Sequence, residues 1–187
     1  MNHNLKPAQG RLLISEPALR DFYFSKSVVL LVEHEETEGS FGFIINKPVH
    51  LKLNEVVKDF PNVDFPLFLG GPVHPERLFY LHTMGEKIPG SLKVFGNLYW
   101  GGDIKKLMEL IELNLVGPSQ VKFFIGYSGW EAGQLSREME EKSWIVTQGA
   151  LKCVLANKPE TLWGNILKKM GNDYAIWANF PSDPILN

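Results

Sequence analysis

In the stretch Gly126-Tyr127-Ser128-Gly129-Trp130, a serine stands between glycines at the end of an apolar run, the residue types with which a strand-to-helix turn exposes a nucleophile. The spacing does not complete that chemistry. A nucleophile elbow carries its second glycine two residues past the serine, and Trp130 holds that place here. Ser128 and Glu131 instead fit the S-x-x-E capping pattern, in which the hydroxyl accepts from the free N–H groups of a helix start. Gln134 and Glu138 follow as i, i+4 neighbours on a different helix face from Leu135 and Met139. Such a pair either lines a cleft with Trp130 or steadies a helix end, and the second use is the commoner.

Other chemistries are less well supplied. From Gly126 to Gly133 the chain reads G-x-x-G-x-x-x-G, neither a P-loop nor a dinucleotide fingerprint. An anion held by the first N–H groups of a helix starting near Gly133, beside Gly70-Gly71, stays open, although Glu131 already brings a negative charge there. The five histidines stand singly at 3, 34, 50, 74 and 82 with no paired ligand spacing, so no metal and no cofactor is expected. His82, at a strand end, reads as a hydrogen-bonded, semi-buried side chain. Cys153 is the only cysteine, which forbids an intrachain disulfide and fits a reducing compartment. With no CxxC or nearby histidine it reads as a small buried hydrophobe.

The elements that position these residues come from the apolar pattern. With 187 residues, 44% of them hydrophobic, the chain can bury roughly 70% of its unfolded surface, and a single domain over residues 1–187 is expected. A net charge of -2 carries no basic excess, so direct nucleic-acid contact is not expected. Lys105-Lys106 and Lys168-Lys169 read as solvated helix faces. The N-terminus has no apolar core of a signal peptide, and the longest aliphatic run, Val28 to Val32, is too short to span a bilayer; the expectation is a cytoplasmic protein with no membrane partner.

Strands are expected at Gly10 to Ile14, Ser27 to Glu33, Phe41 to Asn46, Leu67 to Leu69, Leu78 to His82, Leu92 to Phe95 with Leu98 to Trp100, Val121 to Tyr127, and Ser143 to Thr147. The second and third should pair antiparallel across an acidic turn. Leu19 to Phe24 is an aromatic connection expected to lie over the core as a lid. Helices are expected over Leu53 to Phe60, from an Asp103 N-cap to Gly117-Pro118, after the Gly126–Gly133 motif, and over Glu160 to Met170 with Gly171 as its stop. Residues 179–184 should be irregular. Hairpin-linked strands with singly inserted helices argue for α+β with a mixed sheet.

Taken together, Gly10-Arg11-Leu12-Leu13-Ile14 with Pro17, Ser27-Val28-Val29 leading to His34, Gly42 to Pro48, Gly70-Gly71-Pro72-Val73, Gly126 to Trp130, Gly133-Gln134-Leu135 with Glu138, Trp144, and Pro181 to Pro184 resemble the YqgE/AlgH family of bacterial proteins over nearly the whole chain. The resemblance implies a compact α+β fold with mixed, partly barrel-like sheets. It supplies no active site, since the family has none agreed. The family's label of transcriptional regulator finds no helix-turn-helix here. Members often have Ala where this chain has Ser128, which weakens a catalytic serine. They often have Pro where it has Ala132, which places the helix start near Glu131.

The expectation is therefore an α+β protein with a mostly antiparallel, partly barrel-like sheet, about four helices packed around it, and no catalytic residues. It reads as a non-catalytic binding or regulatory protein whose partner is an unidentified protein or a small anionic ligand. The candidate surface is Asn46, Gly70, Gly71, Pro72, Trp130, Gln134 and Glu138. A nucleotide- or anion-binding sensor or enzyme using the Gly-rich turn and Glu138, and a regulator acting through a partner, are the alternatives. Gly129 is expected in a tight turn that a valine would destabilise.

Overall fold

The computed structural model describes residues 5–177 except Asp59 and Asn62; His3 and the tail segment 179–184 lie outside the described residues. The chain order is β1 (Arg11–Ser15), β2 (Val28–Glu35), β3 (Gly39–Ile44), β4 (Pro48–Val49), α1 (Leu53–Val56), β5 (Leu67–Leu69), β6 (Val73–His82), β7 (Leu92–Phe95), β8 (Leu98–Trp100), α2 (Ile104–Glu112), β9 (Val121–Trp130), α3 (Gln134–Glu140), β10 (Trp144–Gln148), α4 (Leu151–Val154), α5 (Leu162–Met170) and α6 (Asn172–Trp177).

The strands form one sheet in the order β10-β1-β2-β3-β9-β6-β8-β7, with β5 also on β9 and β4 on β5. Each pairing is antiparallel except β5 with β9, which is parallel. The α+β class and the mostly antiparallel sheet are as expected, including the β2–β3 pair. The sheet's two ends, β10 and β7, do not pair with each other, so it is not closed into a barrel, although Phe95 of β7 packs beside Gly10 and Gly149. Six α-helices are present among the described residues rather than about four. The additions, α4 and α6, span four and six residues, too short to display a 3.6-residue apolar repeat in sequence. α1 is a single turn ending at Val56, and the buried ring of Phe60 follows it outside the helix.

β2 explains how the sheet is covered. Its run Val28 to Val32 is wholly buried because Leu30 faces a core shared with α5 while Val29 and Leu31 face a second one with Trp130, Leu135 and Trp144. A third cluster joins α2 to Phe123 of β9, and Asp103 caps α2 by accepting from the Lys105 and Lys106 N–H groups at 2.9 and 3.2 Å. Among the described residues no helix is long and apolar enough to cross a membrane.

The Gly126–Trp130 motif is strand, not turn. β9 continues through Trp130, and α3 begins at Gln134 with Gly133, at φ 69°, as its N-cap. The helix therefore starts later than either the Ser128 box or the Ala132 position suggested. Gly126 is the residue that needs an open backbone: its φ is 66°, and a Cβ there would lie 2.5 Å from the Gly71 carbonyl oxygen. Gly129 lacks a positive φ, and a Cβ on it would meet a Tyr127 ring carbon at 3.2 Å, a contact the ring can yield to. Two backbones cross at Gly71 and Gly126, and Ser128, fully buried, seals the crossing by donating to the Gly70 carbonyl at 3.0 Å.

Candidate functional site

The seven candidate residues fall into two groups. Trp130, Gln134 and Glu138 meet at the end of β9. Glu138 Oε2 accepts from the indole N–H of Trp130 at 2.8 Å and of Trp144 at 2.7 Å, and Oε1 accepts from the Gln134 amide at 2.9 Å. The Gln134 carbonyl oxygen accepts in turn from the Glu131 backbone N–H at 3.0 Å. Both tryptophans are buried, edge to face at 6.0 Å, with Phe24 packed on each. Of the aromatic connection, Phe24 and Tyr23 thus cover the core as expected, while Phe22 is 87% exposed. Lys47 holds that connection by donating to the Tyr23 carbonyl at 2.6 Å, and burial lowers its pKa against the opposing pull of Asp21.

Asn46 and the Gly70-Gly71-Pro72 corner make their polar contacts with other groups. Buried Asn46 accepts from the Val28 N–H at 2.7 Å and donates to the Lys26 carbonyl at 3.0 Å, splicing the start of β2 to the end of β3. The Gly70 carbonyl accepts from Ile44 N–H at 2.9 Å as well as from Ser128, and Pro72 is exposed beside it. Every polar atom of Asn46 and Glu138 named here is thus engaged by this chain's own groups. His82 behaves the same way. Its Nδ1 accepts from Met84 N–H at 3.2 Å, which leaves Nε2 to donate toward Ser91 Oγ at 3.0 Å and the Gly101 carbonyl at 3.2 Å, and burial lowers its pKa.

The arrangement with chemistry to spare lies on the other side of β9, at a residue the sequence did not single out. Lys122 alternates with Phe123 and so shares the sheet face of Phe124, the face that packs against the α5 core. It is 4% exposed, the one buried lysine among the described residues. Its Nζ donates to the Val154 carbonyl at 3.0 Å and lies 3.8 Å from the centre of the Phe68 ring. Val154 ends α4, and a carbonyl in the last turn of a helix has no N–H ahead of it within the helix. Burial brings the Lys122 pKa down to about 7.

Lys122 lines a cleft of about 340 Å³. Pro48 of β4, Phe68 of β5, Pro118 before β9 and Pro159 after α4 wall it, with Ser119, Asn157 and Glu160 as its polar lining. Prolines fix φ and make the walls stiff. None of the seven candidate residues lines this cleft. A lone lysine in the otherwise apolar run Val121 to Ile125 was the available signal; the parallel docking of β5, which brings Phe68 and the cleft wall to it, is a tertiary event.

A family model described as AlgH-like matches residues 12–175. Proteins named UPF0301 from Parabacteroides distasonis and Chlorobaculum parvum are 43% and 40% identical, the alignments covering 100% and 95% of this chain and 96% and 95% of those proteins. The solution structure of the AlgH protein from Pseudomonas aeruginosa superposes with a TM-score of 0.73 at 27% identity, covering 95% of this chain and 98% of that one. A crystal structure from Corynebacterium diphtheriae shares the fold, with a TM-score of 0.78 at 22% identity over 96% of this chain and 95% of the other.

Proposed function

The chain belongs to the AlgH-like family, and on that premise we propose that it is a cytoplasmic, non-catalytic binding or regulatory protein that takes up a small molecule in the Lys122 cleft. One observation carries the reading: a buried lysine on the wall of a stiff, mostly apolar cleft. Its volume stands at the lower end of the range of small-molecule sites, about 300–1,000 Å³. A short apolar body fits between the prolines and Phe68, and a carboxylate or carbonyl oxygen meets Lys122 in a charge-assisted hydrogen bond. Regulation then runs from the occupied cleft to a protein partner rather than to DNA, a reading supported by the net charge of -2.

The test is a titration with isovalerate, a short branched carboxylate, followed by calorimetry and thermal shift. Binding is expected to the wild-type protein and not to Lys122→Met. Because a carboxylate requires the ammonium form, affinity should fall as pH rises above about 7. Absence of binding at about 10 mM, or equal binding to Lys122→Met, overturns the assignment; that concentration corresponds to roughly 3 kcal/mol of affinity, the floor of specific recognition.

A further inference from the structure

We propose that Lys122 captures a small aldehyde or ketone in this cleft as a reversible imine, so that the ligand class is a carbonyl compound with a short apolar body. This deepens the reading above and rests on the cleft being the binding site.

A lysine becomes a nucleophile when its amine is uncharged and held still beside an electrophile. The Val154 carbonyl holds Nζ by one N–H at 3.0 Å, and the Phe68 ring lies against it at 3.8 Å. With a pKa near 7, roughly half of the side chain is uncharged at neutral pH, whereas a solvated lysine near 10.4 is almost wholly ammonium. Capture proceeds by attack of the Nζ lone pair on the carbonyl carbon. The C=O π pair moves to oxygen, which takes a proton to give the carbinolamine. Protonated a second time by solvent, that oxygen is expelled as water by the nitrogen lone pair; one hydrogen of the water comes from nitrogen and the other is the solvent proton. The protonated imine keeps one N–H and one positive charge. The two contacts already on Nζ match those two needs: the Val154 carbonyl accepts the N–H, and the face of Phe68 lies against the cation. No oxidant, metal or second substrate is needed.

The full-length protein is incubated with isovaleraldehyde and, separately, pyruvate, in the presence of cyanoborohydride, which reduces the imine to a stable secondary amine. Intact mass and peptide mapping then locate the adduct. The expected result is one adduct per chain on the peptide carrying Lys122, with labelling that rises to about pH 7 and then levels off, while labelling of surface lysines keeps climbing toward about pH 10. Isovalerate should protect Lys122. Adducts spread over surface lysines with Lys122 unmodified overturn the imine. Two null results are distinguishable: isovalerate binding without an adduct refutes the imine and leaves the cleft assignment standing, and neither binding nor adduct refutes both. The wild-type map decides the question without a variant.

Discussion

The Glu138 cluster and the Lys122 cleft place opposite charges beside aromatic rings, at the two ends of one strand, and come to opposite results. Glu138 is surrounded by donors: two indoles and an amide take up its oxygens, and the rings close over them. Lys122 has one carbonyl and one ring face, and an open cleft beside it. A half-buried charge with a full set of partners is a fastener. A buried one with a partial set raises the free energy of the folded state and stays available to whatever enters.

The sharpest way to break this contrast is Glu138→Ala. It strands two buried indole N–H groups, and hydrogen bonds to a charged acceptor are worth about 1.5–3 kcal/mol each, so a loss of about 4 kcal/mol is expected. Thermal unfolding should register a fall in Tm of about 10 °C. An unchanged Tm would mean the cluster holds nothing together.

Lys122→Met should do the reverse and stabilise the protein, by about 3 kcal/mol at pH 7, since the burial penalty outweighs the lost carbonyl bond. The folded pKa near 7 lies below the unfolded value, so between about pH 7 and about pH 10.4 the unfolded chain binds the extra proton and wild-type stability rises with pH. The variant should lose that rise. Melting curves across this pH window check both statements, and a variant less stable than wild type throughout would place Lys122 among the fasteners.

Glu138→Gln keeps an oxygen for the indoles but turns an amide toward the Gln134 amide, so a milder cost of about 1 kcal/mol is expected, read in the same melts. Smallest is Phe68→Leu. Without the ring face the ammonium loses about 0.5–1 kcal/mol of support, and the midpoint of Lys122 labelling should move to lower pH by less than about one unit.

Much of the scaffold was legible in the sequence because its signals are local. The apolar run of β2, the Asp103 cap of α2 and the Gly171 stop of α5 each report a structure that a few adjacent residues decide. Gln134 and Glu138 were legible as a pair through their helical spacing, with Trp130 named beside them, whereas the contact of Trp144, which arrives on β10, was not. What stayed hidden depends on chain segments meeting. Gly126 reads as a turn glycine until Gly71 is laid across it, and Lys122 is one unremarked position of a strand until β5 and α4 bury it. Glycine signals freedom of φ, and only the neighbouring backbone decides whether that freedom makes a turn or a crossing.

β9 pairs with β3, β5 and β6, all of them earlier in the chain, and β1 pairs with β10, which is later still. On a ribosome the first two-thirds of this protein emerges as hairpins and edges without their common partner, waiting for residues 121–130 to be made. Such long-range pairings fold slowly and leave unpaired edges exposed in the interim. Nascent chains arrested before β9 should be cleaved readily by protease and those arrested beyond β10 should resist it, so a large part of the molecule gains its shape in one late step of synthesis.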